Sequence, residues 1–91
     1  MAVIVVIEMP GVTQEQYEEN SEKLTGAPWW PAEGFIAHAG GKTDDGWIVV
    51  DLWESADAFR AFTEKALPIL ESSGMTAARP KVYEASRVVT R

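Results

Sequence analysis

His38 is the only histidine of this 91-residue chain, and it lies in the same hydrophobic stretch as Asp51, within GFIAHAGGKTDDGWIVVDLWESADAF, residues 34–59. An imidazole exchanges protons near neutral pH. A carboxylate bonded to it fixes the tautomer and raises its basicity, as in base–orienter pairs. Asp51 stands between Val50 and Leu52, so burial obliges it to find a partner. Trp53, two residues on, offers a flat aromatic surface beside them. A base, a carboxylate and an aromatic wall suit proton abstraction from a small aromatic molecule.

The elements that must position these residues form a hairpin. Strands over 34–40 and 47–54 run antiparallel about a turn at 42–45. With Thr43 and Asp44 at the tip, His38 is expected opposite Val49, and Ile36 opposite Asp51. Side chains alternate faces along a strand, and opposed residues share a face. One face then carries Ile36, His38, Val49, Asp51 and Trp53. The other carries Phe35, Ala37, Ala39, Ile48, Val50 and Leu52, and reads as core. An apolar face with two ionisable groups set into it has the make-up of a small-molecule pocket.

Each residue also has a structural reading. A backbone carbonyl would satisfy His38. Asp51 has His38 or a ligand as functional partners, and Arg60, Arg87 or Lys81 as structural ones. Trp53 either stacks on substrate or fills the core. Trp29 and Trp30 form a lid over the pocket or anchor their loop or a dimer contact. Tyr17 donates a hydrogen bond to a substrate carbonyl or packs its helix. Phe62 belongs to the core and lines the pocket.

Composition excludes several classes of partner. The net charge of -6, with acidic residues spread along the chain, argues against nucleic acid and anionic membrane, which need clustered Lys and Arg. The absence of cysteine removes disulfides, thiol nucleophiles and thiolate metal sites. No metal-ligand spacing, P-loop or nucleophile elbow appears. Glu8 interrupts the apolar N-terminal run, no basic segment precedes it, and no segment approaches the roughly 20 apolar residues of a membrane span. The expected location is the cytoplasm.

The remaining elements follow from local signals. Residues 2–9 form a β-branched strand, apolar on both faces, that Pro10-Gly11 ends. Thr13 and Gln16 read as a capping box for a helix over 13–25, with Gly26 closing it. The apolar stripe of this helix is thin, with Asn20 and Ser21 between Tyr17 and Leu24. Ser55 caps a second helix that presents Phe59, Phe62, Ala66 and Ile69. Pro68 is expected to kink it or start a fresh short helix ending near Gly74. A last strand is expected over 81–90. The order β-α-β-β-α-β predicts a single α+β domain over 1–91, a ferredoxin-like four-stranded antiparallel sheet with both helices on one face. Its uncovered apolar face calls for a second copy of the chain, a homodimer.

With this element order, and with VVDLWESADAF at residues 49–59 joining a tryptophan-ended strand to a serine-capped helix, the chain resembles the dimeric α/β-barrel superfamily, within it the antibiotic-biosynthesis-monooxygenase-like group. The resemblance implies a homodimer whose sheets form a barrel, with pockets between sheet and helices. The activities it implies range over cofactor-free oxygenation of aromatic polyketides, quinol oxidation and haem breakdown, with cyclases, isomerases and peroxidases elsewhere in the superfamily. By position only Trp53 carries over. Phe62 and Leu67 stand where such members carry histidines, and residues 3–9 lack the asparagine of haem-degrading members, so haem is not expected. The expectation is an enzyme without a cofactor acting on a small aromatic or polyketide-like molecule, as a monooxygenase or as a cyclase or isomerase, with His38 and Asp51 catalytic and Trp53, Tyr17, Phe62, Trp29 and Trp30 binding substrate. The alternative is a ligand-binding or structural dimer without catalysis.

Overall fold

A computed structural model describes residues 1–75 and 79–91. The elements run β1 (Val3–Pro10), α1 (Gln14–Thr25), β2 (Phe35–Lys42), β3 (Gly46–Trp53), α2 (Ala56–Ser72) and β4 (Lys81–Glu84). The four strands form one antiparallel sheet in the order β2-β3-β1-β4. This is the expected ferredoxin-like α+β arrangement.

Both helix starts form as the sequence requires. The Thr13 hydroxyl accepts from the Gln16 amide at 3.2 Å, and the Gln16 side chain accepts from the Thr13 amide at 3.0 Å. The Ser55 hydroxyl accepts from the Ala58 amide at 3.0 Å. Two expectations change. α2 runs through Pro68 to Ser72 as one helix, and no fresh helix begins there. Pro68 lies on the exposed side, where water can serve the carbonyl that loses its partner. β4 stops at Glu84 instead of reaching residue 90, because Val3 pairs with Glu84 and Ala2 accepts from Ala85.

The hairpin differs from expectation in register and in one bulge. His38 pairs with Asp51 and Lys42 with Trp47, a shift of two residues that moves the tip to Asp44 and Asp45. A two-residue shift preserves the faces, so His38, Val49, Asp51 and Trp53 do share a side. At the start of β2 a bulge separates Phe35 from Ala37, and Ile36 is the extra residue. Phe35 therefore pairs with Trp53 and turns to the same face as His38, opposite to its expected side. Gly34 makes this possible. Its φ is +83°, and a Cβ there would lie 2.5 Å from the Ala58 Cβ, so the strand enters pressed against α2.

The two faces of the sheet also exchange their expected roles. The helices cover the face bearing Val3, Val5, Trp47, Val49, Asp51 and Trp53, all buried. The wholly apolar face, with Ile4, Val6, Ile48, Val50 and Leu52, is only half-buried, and Val50 is exposed. That face is the open side of the sheet in the protomer, not its core. The thin stripe of α1 has a related cause: Tyr17, Asn20, Ser21 and Leu24 all line a cavity.

Candidate active site

A cavity of about 560 Å³ lies between the sheet and the two helices, within the size range of small-molecule sites. Its walls are mostly apolar and aromatic. Met9 and Val49 contribute from the sheet, Phe59 and Phe62 from α2, and Trp30 from the loop before β2. No lysine or arginine is among its lining residues.

Four side chains on this wall form one hydrogen-bonded line. His38 Nδ1 lies 2.6 Å from Asp51 Oδ1. The other carboxylate oxygen, Oδ2, accepts from the Trp53 indole N–H at 3.1 Å. The far ring nitrogen of His38, Nε2, meets the Tyr17 hydroxyl. A carboxylate only accepts, so Nδ1 carries the imidazole proton and Nε2 is left as an acceptor. The Tyr17 hydroxyl is then the donor to Nε2. Burial, the dominant effect, pushes the Tyr17 phenol above its ordinary 10.0; Ser21 lowers it by less, and the nearby Asp51 carboxylate adds a still smaller rise. Tyr17 therefore stays protonated near neutral pH and can fill that donor role.

Local structure explains each member. Direct pairing of His38 with Asp51 across β2 and β3 brings their side chains together on one face. Trp53 stands two residues beyond Asp51 on the same strand, so it shares that face. Tyr17 comes from the second turn of α1. Its ring stacks on Trp47 at 4.7 Å and an interplanar angle of 29°. The backbone beneath is Gly40, where a Cβ would lie 2.5 Å from the Tyr17 hydroxyl oxygen and 3.0 Å from Trp47 Nε1. Only glycine leaves room for that hydroxyl to reach His38. Trp47 Nε1 is the one buried side-chain polar atom without a hydrogen-bond partner among the described residues.

The remaining expected site residues are placed as follows. Trp53 is 1% exposed and packs among Phe35, Phe59 and Phe62. Phe62 lines the cavity, as does Trp30, which packs against Phe35 at 5.0 Å. Trp29 does not line it. Its ring lies edge-on to Phe62 at 5.9 Å, behind the wall, with Lys65 Nζ 5.9 Å from its centroid. The structural ion pairs considered for Asp51 do not form. Arg60 binds Asp57 instead, at 2.8 Å.

Three features escaped the sequence. The sequence offers Tyr17 as a substrate-binding residue, but nothing in its spacing connects it to His38. Asn20 is buried, 6% exposed, and lines the cavity. Phe35 joins the wall through the bulge. A signal for the first existed in Gly40, where a strand residue without a side chain implies close approach of another group.

Among the described residues no group of three or more His, Asp or Glu side chains is placed to hold a metal ion. Among the same residues no helix is long and apolar enough to cross a membrane.

No protein-family model matches the chain, and no curated protein sequence matches it. Solved structures do. SnoaB, a cofactor-independent oxygenase from Streptomyces nogalater, superposes with a TM-score of 0.68 at 16% identity, covering 99% of this chain and 97% of that one. A monooxygenase from the gene ActVA-Orf6 of Streptomyces coelicolor, in complex with nanaomycin D, gives 0.57 at 19% identity over 99% and 92%. A dimeric ferredoxin-like protein of unknown function from Thermobifida fusca gives 0.53 at 20% identity over 90% and 86%. The chain thus has the fold of the antibiotic-biosynthesis-monooxygenase-like proteins, as the sequence resemblance implied. At these identities the likeness is one of fold, and a fold of this kind does not fix the reaction.

Proposed function

We propose that this protein is an enzyme that removes a hydroxyl proton from an uncharged aromatic or polyketide-like substrate, and that the resulting anion is oxygenated without a cofactor. The observation that carries the reading is the 2.6 Å contact of His38 with Asp51 at the edge of an apolar cavity. A pure binding module has no use for a carboxylate-oriented imidazole, and burying the carboxylate is costly. The cofactor-independent oxygenase among its structural neighbours supports the reaction type.

The proposed chemistry starts with a substrate hydroxyl at Tyr17. Its proton passes to the Tyr17 oxygen as the Tyr17 proton passes to His38 Nε2. The transfer is concerted, so no free tyrosinate forms, in keeping with the raised phenol. His38 becomes an imidazolium beside the Asp51 carboxylate. The electron-rich substrate anion gives one electron to molecular oxygen, and the resulting radical and superoxide combine at ring carbon. The peroxide anion recovers the proton from His38. Loss of water from the hydroperoxide then leaves a carbonyl, so one oxygen atom enters the product and the other leaves as water. Aromatic walls exclude solvent and hold the ring, while the protein positions and deprotonates. A cyclase or isomerase on the same substrates would begin with the same proton transfer.

A second copy completes the proposed assembly. The open sheet face is apolar, and the Thermobifida fusca neighbour is described as dimeric. We place the dimer interface on the face of Ile4, Val6, Ile48, Val50 and Leu52.

The test is a tryptophan-fluorescence screen of aromatic quinols and hydroxyaryl ketones, followed by oxygen-consumption assays on the compounds that bind. Oxygen uptake that His38→Ala abolishes is expected. Tight binding with no turnover of any binder, by wild type or variant, would leave a binding module.

A further inference from the structure

Asn20 is a buried amide on the cavity wall, 6% exposed and one helical turn beyond Tyr17 on α1. Its one hydrogen-bond contact among the described residues is Ser73, whose hydroxyl lies 3.5 Å from Asn20 Oδ1. That contact is at the limit of a hydrogen bond. The same Ser73 hydroxyl lies 3.1 Å from the Ile69 carbonyl. A serine has a single proton to donate, and the shorter contact takes it. An asparagine side chain offers two donor hydrogens and a carbonyl acceptor, so most of this capacity is left unused by the described residues. Buried amides are normally satisfied. Leu24, Leu70 and Met75 line the same cavity and offer nothing polar, and of its hydroxyl residues Ser21, Thr25 and Thr63 the two threonines donate to the Ser21 and Phe59 carbonyls at 2.9 Å.

We infer that Asn20 is a substrate-orienting residue: its amide binds a second oxygen substituent of the aromatic whose first hydroxyl sits at Tyr17 and His38. This rests on the proton-abstraction reading, which supplies the first anchor. Two polar anchors one helical turn apart on the same wall fix the ring's rotation in its plane, which apolar walls alone leave free. An amide suits this task because it donates to a carbonyl and accepts from a hydroxyl. It can therefore hold the same oxygen before and after oxidation. With no lysine or arginine on the wall, the second substituent is neutral rather than carboxylate or phosphate.

The experiment is anaerobic equilibrium binding, by tryptophan fluorescence, of naphthol and naphthohydroquinone to wild type, Asn20→Leu, Asn20→Ala and His38→Ala. Wild type should prefer the hydroquinone by roughly fivefold, the usual equilibrium worth of one hydrogen bond. Asn20→Leu should lose that preference and keep its affinity for naphthol. Asn20→Ala guards against misfolding of the bulkier variant and should behave alike. A preference that survives both substitutions overturns the inference, as does an equal loss of affinity for both ligands. Failure of the parent reading looks different: neither ligand then binds wild type, and this inference falls with it, whereas His38→Ala, which leaves Asn20 in place, should keep the hydroquinone preference.

Discussion

His38 and Asp51 stand directly opposite each other on β2 and β3, and their side chains close to 2.6 Å on the cavity face. Cross-strand neighbours on a sheet are held rigidly by the ladder, so this pair needs no loop to assemble it. The arrangement orients the imidazole before any ligand arrives.

Removal of His38 tests whether that orientation serves chemistry. His38→Ala should lower turnover by about 100-fold or more, the scale of a positioned acid–base group. Ligand affinity should fall much less, since the aromatic wall supplies most of the contact area. Asp51→Asn should reduce activity and move the pH–rate profile, because the imidazolium loses its counter-charge. Steady-state kinetics on a substrate from the screen decide it. Full activity of a folded His38→Ala would make the histidine structural.

Gly40 gives a test of Tyr17 without touching Tyr17. A methyl group there would lie 2.5 Å from the Tyr17 hydroxyl oxygen and 2.7 Å from its Cζ. The phenol must move, and its hydrogen bond to His38 must break. Gly40→Ala should therefore lower activity to the level of Tyr17→Phe. The double variant should be no worse than either single one, since both remove the same contact. Additive losses would show that Gly40 acts elsewhere.

The element order, both helix caps and the shared face of His38, Asp51 and Trp53 were legible because each rests on local chemistry or on strand parity. A two-residue error in the turn left the faces intact. The bulge at Ile36 was not legible, since one extra residue leaves no mark in an apolar run, and it sent Phe35 to the opposite side. The core face was misjudged for a physical reason. An apolar strand face reads the same whether a helix or a second subunit covers it. The polar line was hidden likewise: Tyr17 and His38 meet only through the packing of α1 on the sheet. Asn20 and Ser21 interrupt the apolar stripe of α1 because that helix borders a cavity.

Ionisation of Tyr17 should be visible directly. The chain has two tyrosines, Tyr17 and Tyr83. The difference between the alkaline ultraviolet titrations of wild type and Tyr17→Phe should give a phenol ionising above 10.0. The sign for stability follows. A folded-state value raised above the unfolded one means the folded protein holds this proton more tightly. The associated stabilisation is fully present below pH 10 and is lost as the pH rises through the folded value. Tyr17→Phe should lack this part of the alkaline loss. A difference titration centred below 10.0 would contradict the buried, hydrogen-bonded phenol.

The open sheet face should govern assembly. Sedimentation at micromolar concentration should show a dimer. Val50→Lys combined with Ile48→Lys places two charges on the outward face of β3 and should yield a folded monomer. A wild-type monomer would refute the proposed interface, and a dimer unaffected by both charges would move it to another surface.

Trp53 joins stability to the site, and its indole N–H separates the two. Trp53 fills the space among Phe35, Phe59 and Phe62, and its N–H serves Asp51 Oδ2 at 3.1 Å. Trp53→Phe keeps an aromatic ring but removes the donor and part of the volume. The lost hydrogen bond to a buried carboxylate should cost about 1.5–3 kcal/mol, read from urea unfolding. Asp51→Asn in the same background shows how much of that cost is the bond. If the bond carries it, Trp53→Phe should be markedly less destabilising when Asn replaces Asp51, because an uncharged amide is cheaper to leave without that donor. If the two losses simply add, Trp53 acts through packing alone and the carboxylate is held by His38 without it.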